Sequence, residues 1–120
     1  MNSYVRKLRR SEEYYFKEGC FIIEVSNSEH DTAASIAHAR VAVGGQTAWH
    51  WLSETFERYA ITRGEGLVEI GDAPATEVRE GDVVLIPPET RQRITNTGQS
   101  DLEFFAICTP RFDALNYHSD

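Results

Sequence analysis

What most limits this chain is its rhythm: short runs of β-forming residues, each closed by glycine, proline or an Asn/Asp turn, with no helical period sustained beyond a turn or two. Phe21–Val25 reads as one strand, and Ser35–Val43 as another, stopped by Gly44 and Gly45. Thr47–Leu52 and Phe56–Thr62 follow, the second ending at Gly64-Glu65-Gly66. Leu67–Ile70 closes on Gly71-Asp72, and Thr76–Arg79 leads into Gly81-Asp82, both hairpin-type signals. Val83–Ile86 is a continuous apolar run ended by Pro87-Pro88, which suits a buried strand. Gln92–Asn96 and Leu102–Cys108 complete the series around an Asn96-Thr97-Gly98 turn. The segments 11–19 and 111–120 each predict one helical turn. Strands this short and this regularly spaced argue for a single all-β domain, a sandwich or a barrel, over residues 1–120.

The 120 residues allow one core and leave no room for an attached second domain. A charged fraction of 26% beside 41% hydrophobic residues is that of a folded globular chain. The formal net charge of -7 repels phosphate backbones and anionic lipid, so neither nucleic acid nor membrane is expected as a partner. The basic cluster Arg6, Lys7, Arg9 and Arg10 reads as a solvated edge. Cys20 and Cys108 match no metal or redox spacing, and their apolar neighbours predict buried free thiols, with a disulfide left open. The N-terminal residues lack the apolar stretch of a signal peptide, and no run approaches a membrane span. The expected location is cytoplasmic.

Between Gly44 and Asn96 the spacing is more specific. Gly44, His50, Leu52, Glu57 and Gly64 form one constellation, and Gly81, Pro87, Glu89, Gln92 and Asn96 a second. Both resemble the two motifs of the cupins without a shift in spacing. Leu52 stands at the first motif's second histidine, Glu89 at the second motif's inner glycine, and Gln92 at its histidine. The resemblance implies a double-stranded β-helix, a jelly-roll barrel with a divalent metal at its centre, acting on small organic acids, sugars or carbonyl compounds.

Alternation along strands gives the spacing a physical meaning. His50 and position 52 share a face, and Glu57 and Gln92 lie on neighbouring strands, so inward side chains can converge on one point. The expected metal set is therefore His50, Glu57 and Gln92, an imidazole, a carboxylate and an amide, facing Mn, Fe, Ni or Zn, with no organic cofactor. The alternative is a metal-free, hydrogen-bonded cluster of those same residues with Leu52 packed beside it. Tyr59 shares the parity of Glu57; the two are the candidate catalytic residues, and Tyr59 and Arg63 the candidate substrate contacts. Trp49 and Trp51 have the opposite parity, which suits a dimer interface or packing against the terminal segments. His30, His38 and His118 read as structural or solvated, and Arg91 and Arg93 as surface ion pairs. The reading is a small-molecule-binding cupin, expected as a homodimer. Two functions stay open, a metal-dependent enzyme and a metal-free binding or structural barrel.

Overall fold

The computed structural model describes residues 4–120. It bears out the all-β expectation and most strand positions: β1 (Tyr14–Phe16), β2 (Cys20–Ser26), β3 (Ser35–Val41), β4 (His50–Leu52), β5 (Phe56–Arg63), β6 (Glu65–Ile70), β7 (Thr76–Arg79), β8 (Val83–Ile86), β9 (Gln92–Asn96), β10 (Leu102–Thr109) and β11 (Tyr117–Ser119). They form two antiparallel sheets, one ordered β1-β2-β3-β10-β5-β8 and the other β11-β4-β9-β6-β7. Inward residues alternate with outward ones as the pleat requires: on β5 Glu57, Tyr59 and Ile61 are buried, and on β9 Gln92, Ile94 and Asn96. The core between the sheets includes Val41, Ile94, Leu102 and Phe104, each contributing about 1.5–3 kcal/mol by leaving water. On β8, Val84 and Ile86 face that core while Val83 and Leu85 stand exposed on the outer side. No helix among the described residues is long and apolar enough to cross a membrane.

The structure corrects both terminal segments. The helical turn expected over 11–19 shrinks to a 3-10 turn at Arg10–Glu12, and Tyr14–Phe16 becomes β1, paired with β2. Consecutive aromatics favour a pleated surface, and Gly19, at φ +104, supplies the left-handed residue that closes the hairpin. The C-terminal turn exists at Ala114–Asn116, capped by the Asp113 carboxylate, but Tyr117–Ser119 then pairs with β4. The strand expected over Thr47–Leu52 begins only at His50, because Gln46–Trp49 runs as a connection whose Ala48 N–H donates to the Glu18 carbonyl at 2.7 Å. Glu89, at the family's glycine position, has φ +63, which is why a glycine would be comfortable there. Its side chain accepts from the Glu54 N–H at 2.9 Å, and Glu54 is itself left-handed at φ 56.

Candidate functional site

Registers bring the expected residues to one region. His50 on β4 stands opposite Gln92 on β9, and Glu57 on β5 opposite Cys108 on β10. The Glu57 carboxyl accepts from the Gln92 amide nitrogen at 2.7 Å and from the Cys108 thiol at 3.6 Å. The Gln92 carbonyl oxygen accepts from the Tyr59 hydroxyl at 2.5 Å. Burial pushes the Glu57 carboxyl above the usual carboxylate range, and the nearby charge of Glu18 adds to this against the opposing Gln92 and Cys108 hydrogen bonds and the pull of His50. Burial, and then the charge of Glu57, hold the Tyr59 phenol well above its ordinary value, so it keeps its proton and spends it on Gln92.

A second cluster, centred on Glu18, was invisible in the sequence pattern. The His50 Nδ1 lies 2.7 Å from the Ala48 carbonyl, which can only accept, so Nδ1 carries a proton. Nε2 then faces the Glu18 carboxyl at 3.0 Å. A hydrogen bond there needs one more proton, held either by the imidazole against a carboxylate or by Glu18 against a neutral ring. Glu18 also accepts from the Cys20 thiol at 3.1 Å and from the Tyr117 hydroxyl at 3.3 Å. Burial and then the Glu18 charge push both of those groups up, so each remains a donor. The Tyr117 ring stacks on His50, centroids 5.6 Å apart and 19° from parallel. Ala48 holds the pair in place from the backbone, its N–H on Glu18 and its carbonyl on His50. A side chain at Gly19 would put its Cβ 3.0 Å from the Gln46 carbonyl oxygen and force this connection away.

Both clusters border a cavity of ≈ 80 Å³ between the sheets, whose wall also includes the apolar Ile22, Leu52, Phe104 and Ala106 and the polar Glu24 and Ser35. His50, Glu57 and Tyr59 reach this wall as expected, and Leu52, 5% exposed, fills the second histidine position. Gln92 does not reach it; only 1% exposed, it is spent on Glu57 and Tyr59. Arg63 does not reach it either, contrary to its parity. Where β5 and β10 pair, a bulge aligns Phe104 with Ile61 but Glu103 with Arg63, and the guanidinium turns to Glu103 at 3.2 Å. Trp49 is covered by the guanidinium groups of Arg91 and Arg93, and Trp51 stacks on His118, so terminal packing accounts for the second ring. Arg93 pairs with Glu69 at 2.7 Å and Arg91 with Asp120. His118 also meets the Ser53 hydroxyl at 3.0 Å, and His38 is buried against Glu103. Cys20 and Cys108 are buried free thiols, and each hydrogen-bonds its own carboxylate.

The family model described as a cupin domain matches residues 37–108. An uncharacterized protein of Methanocaldococcus jannaschii is 34% identical over 101 residues, covering 82% of this chain and 80% of the relative. This chain belongs to the cupin family. Another relative, an oxalate-binding protein of Thermotoga maritima, is 31% identical over 65% of this cupin and 64% of its own length. Among solved structures, a nucleoside dehydratase superposes with a TM-score of 0.77 at 17% identity, covering 95% of this cupin and 89% of that chain. A predicted oxalate decarboxylase from Thermotoga maritima gives 0.76 at 24%, covering 87% and 98%. These likenesses establish the barrel and no particular chemistry.

Cupins commonly bind a divalent metal, and the donors here can be tested for one. Leu52 offers no donor. Gln92 turns its amide nitrogen to Glu57 and its carbonyl to Tyr59, and His50 directs Nε2 at Glu18. Among the described residues no group of three or more His, Cys, Asp and Glu is placed to hold a metal ion. As arranged, the side chains satisfy one another and do not fit a cation at this position.

Proposed function

We propose that this cupin binds a small molecule in its cavity and exchanges a proton with it through the His50–Glu18 pair, with no divalent metal in the step. The observation that supports this most is the hydrogen bond from His50 Nδ1 to Ala48, which fixes the tautomer and leaves a transferable proton between Nε2 and Glu18. Such a pair serves as general acid or base without a change of position. Tyr117 and Cys20 stabilise the carboxylate form of Glu18 by donating to it. Glu57, its ionisation opposed by burial, provides a second carboxyl suited to donating rather than accepting a proton. The barrel is shared by a nucleoside dehydratase and a predicted oxalate decarboxylase, so the wall, rather than the fold, carries the reading.

The test is a fragment screen by ligand-observed NMR on chelator-treated protein and on Leu52→Trp, whose indole fills the cavity. Binders should vanish in the variant, shift the His50 ring nitrogens in the wild type, and persist without added metal. Binding that requires a divalent ion, or binders indifferent to Leu52→Trp, would overturn the proposal.

A further inference from the structure

The cavity wall carries the carboxyl groups of Glu18, Glu24 and Glu57, and among the described residues that line it there is neither lysine nor arginine. Among the described residues that line it, His50 is the one basic side chain, and it is already committed to Glu18. Glu24 stands exposed on β2, on the same face as the cavity-lining Ile22, and its carboxylate accepts from the neutral Asn27 amide at 3.4 Å. Ser35 and Cys108 aside, the rest of the wall is largely apolar and rich in rings, with Tyr14, Phe16, Phe104, Phe112 and Tyr117 all contributing. Carboxylates beside aromatic faces are the surroundings in which an ammonium group is held. One such contact already exists, for the chain's own Lys17 ammonium rests 4.9 Å from the centroid of the Tyr117 ring.

We infer that the ligand of this cavity is a small protonated amine with an apolar body, its ammonium set toward Glu24 and Glu18 and its carbons against Ile22, Leu52 and Phe104. The inference rests on the cavity reading above and names its ligand class. A cavity of ≈ 80 Å³ limits the body to a few carbons. A dicarboxylate, of the kind the Thermotoga oxalate-binding protein is named for, would instead enter a field of its own sign.

Three probes of one shape separate the possibilities: n-butylammonium, 1-butanol and butanoate, titrated at neutral pH and low salt by ligand-observed NMR. The wild type should bind the ammonium roughly tenfold more tightly than the alcohol, with butanoate weakest, as one unit charge near a half-solvated carboxylate implies. Glu24→Gln should narrow the gap, and Glu24→Lys should reverse the order of ammonium and butanoate. The position is exposed, so both variants should fold, and unchanged thermal unfolding would confirm it. Butanoate binding as well as butylammonium, or an order indifferent to Glu24→Lys, overturns the inference. Equal binding of all three, whatever their charge, overturns this inference while leaving the cavity reading standing, whereas binding of none sinks both.

Discussion

This chain contains the same pair twice. Inside the barrel His50 meets Glu18 at 3.0 Å, and on the outer face of the larger sheet His38 meets Glu103 at the same distance. Both histidines are 3% exposed, yet their surroundings differ. Glu103 is also held by Arg10 at 3.0 Å and Arg63 at 3.2 Å; burial raises its carboxyl, but these hydrogen bonds and the charge of Arg10 together keep it below the usual range. Burial, and then the charge of Arg10, lower the affinity of His38 for a proton, against the pull of Glu103. The ring is therefore neutral, gives its one N–H to Glu103, and leaves Nδ1 buried without a partner. At His50 that nitrogen is satisfied by Ala48, and among the described contacts of the carboxylate opposite there is no guanidinium. One pair is a structural tie, and the other is the pair proposed to exchange a proton with a ligand. What separates them is the neighbouring charge, and not the identity of the two residues.

The sharpest way to break the comparison is to remove each glutamate. Glu103→Ala leaves the buried His38 N–H unpaired and frees two arginines, and should cost about 3 kcal/mol in denaturant unfolding. Glu18→Ala should cost about 1 kcal/mol, because the cavity already admits water, while the His50 ring nitrogens lose the signature of a shared proton. If the two losses of stability were equal, the division into tie and shuttle would fail.

The pH profile separates the pairs next. With the native value of His38 below its ordinary 6.5, the unfolded chain takes up a proton there that the native chain refuses. That contribution is intact above 6.5 and lost as pH falls below it, so His38→Gln should flatten the decline in Tm on the acid side. Glu57 runs the other way. Its native value lies above 4.5, so its contribution is present below 4.5 and lost as pH rises through the native value. Glu57→Gln should therefore gain in Tm relative to the wild type on going from about pH 5 to about pH 8. The smallest effect belongs to Arg63→Gln. Its guanidinium is largely exposed, and the cost should stay under about 1 kcal/mol.

The barrel was legible because strand alternation and turn glycines repeat over the length of the chain, and because His50, Glu57, Gln92 and Asn96 keep the family spacing despite two replaced ligands. The site was legible only where a motif reached it. Glu18 lies in a segment whose aromatics and glutamates also suit a helical turn, and Tyr117 lies in a short polar tail; neither carries a periodic signal. A charged residue directly before Gly19 and an apolar strand was the one available hint, since a hairpin there sets Glu18 beside whatever strand covers it. Arg63 misses the cavity because parity assumes an unbroken register, which the bulge opposite Glu103 interrupts just before Gly64.

The Glu18–His50–Tyr117 wall is stitched from distant parts of the chain. Glu18 follows the edge strand β1 of one sheet, and Tyr117 begins the edge strand β11 of the other, with 99 positions between the two hydrogen-bonded residues. Closing a loop of that length is among the slower events of folding, and edge strands are the first to open in native-state exchange. The barrel can therefore be nearly complete before this cluster exists. Amide hydrogens of β11 should exchange ahead of those in β5 and β10, and a ligand that bridges the wall should slow them most.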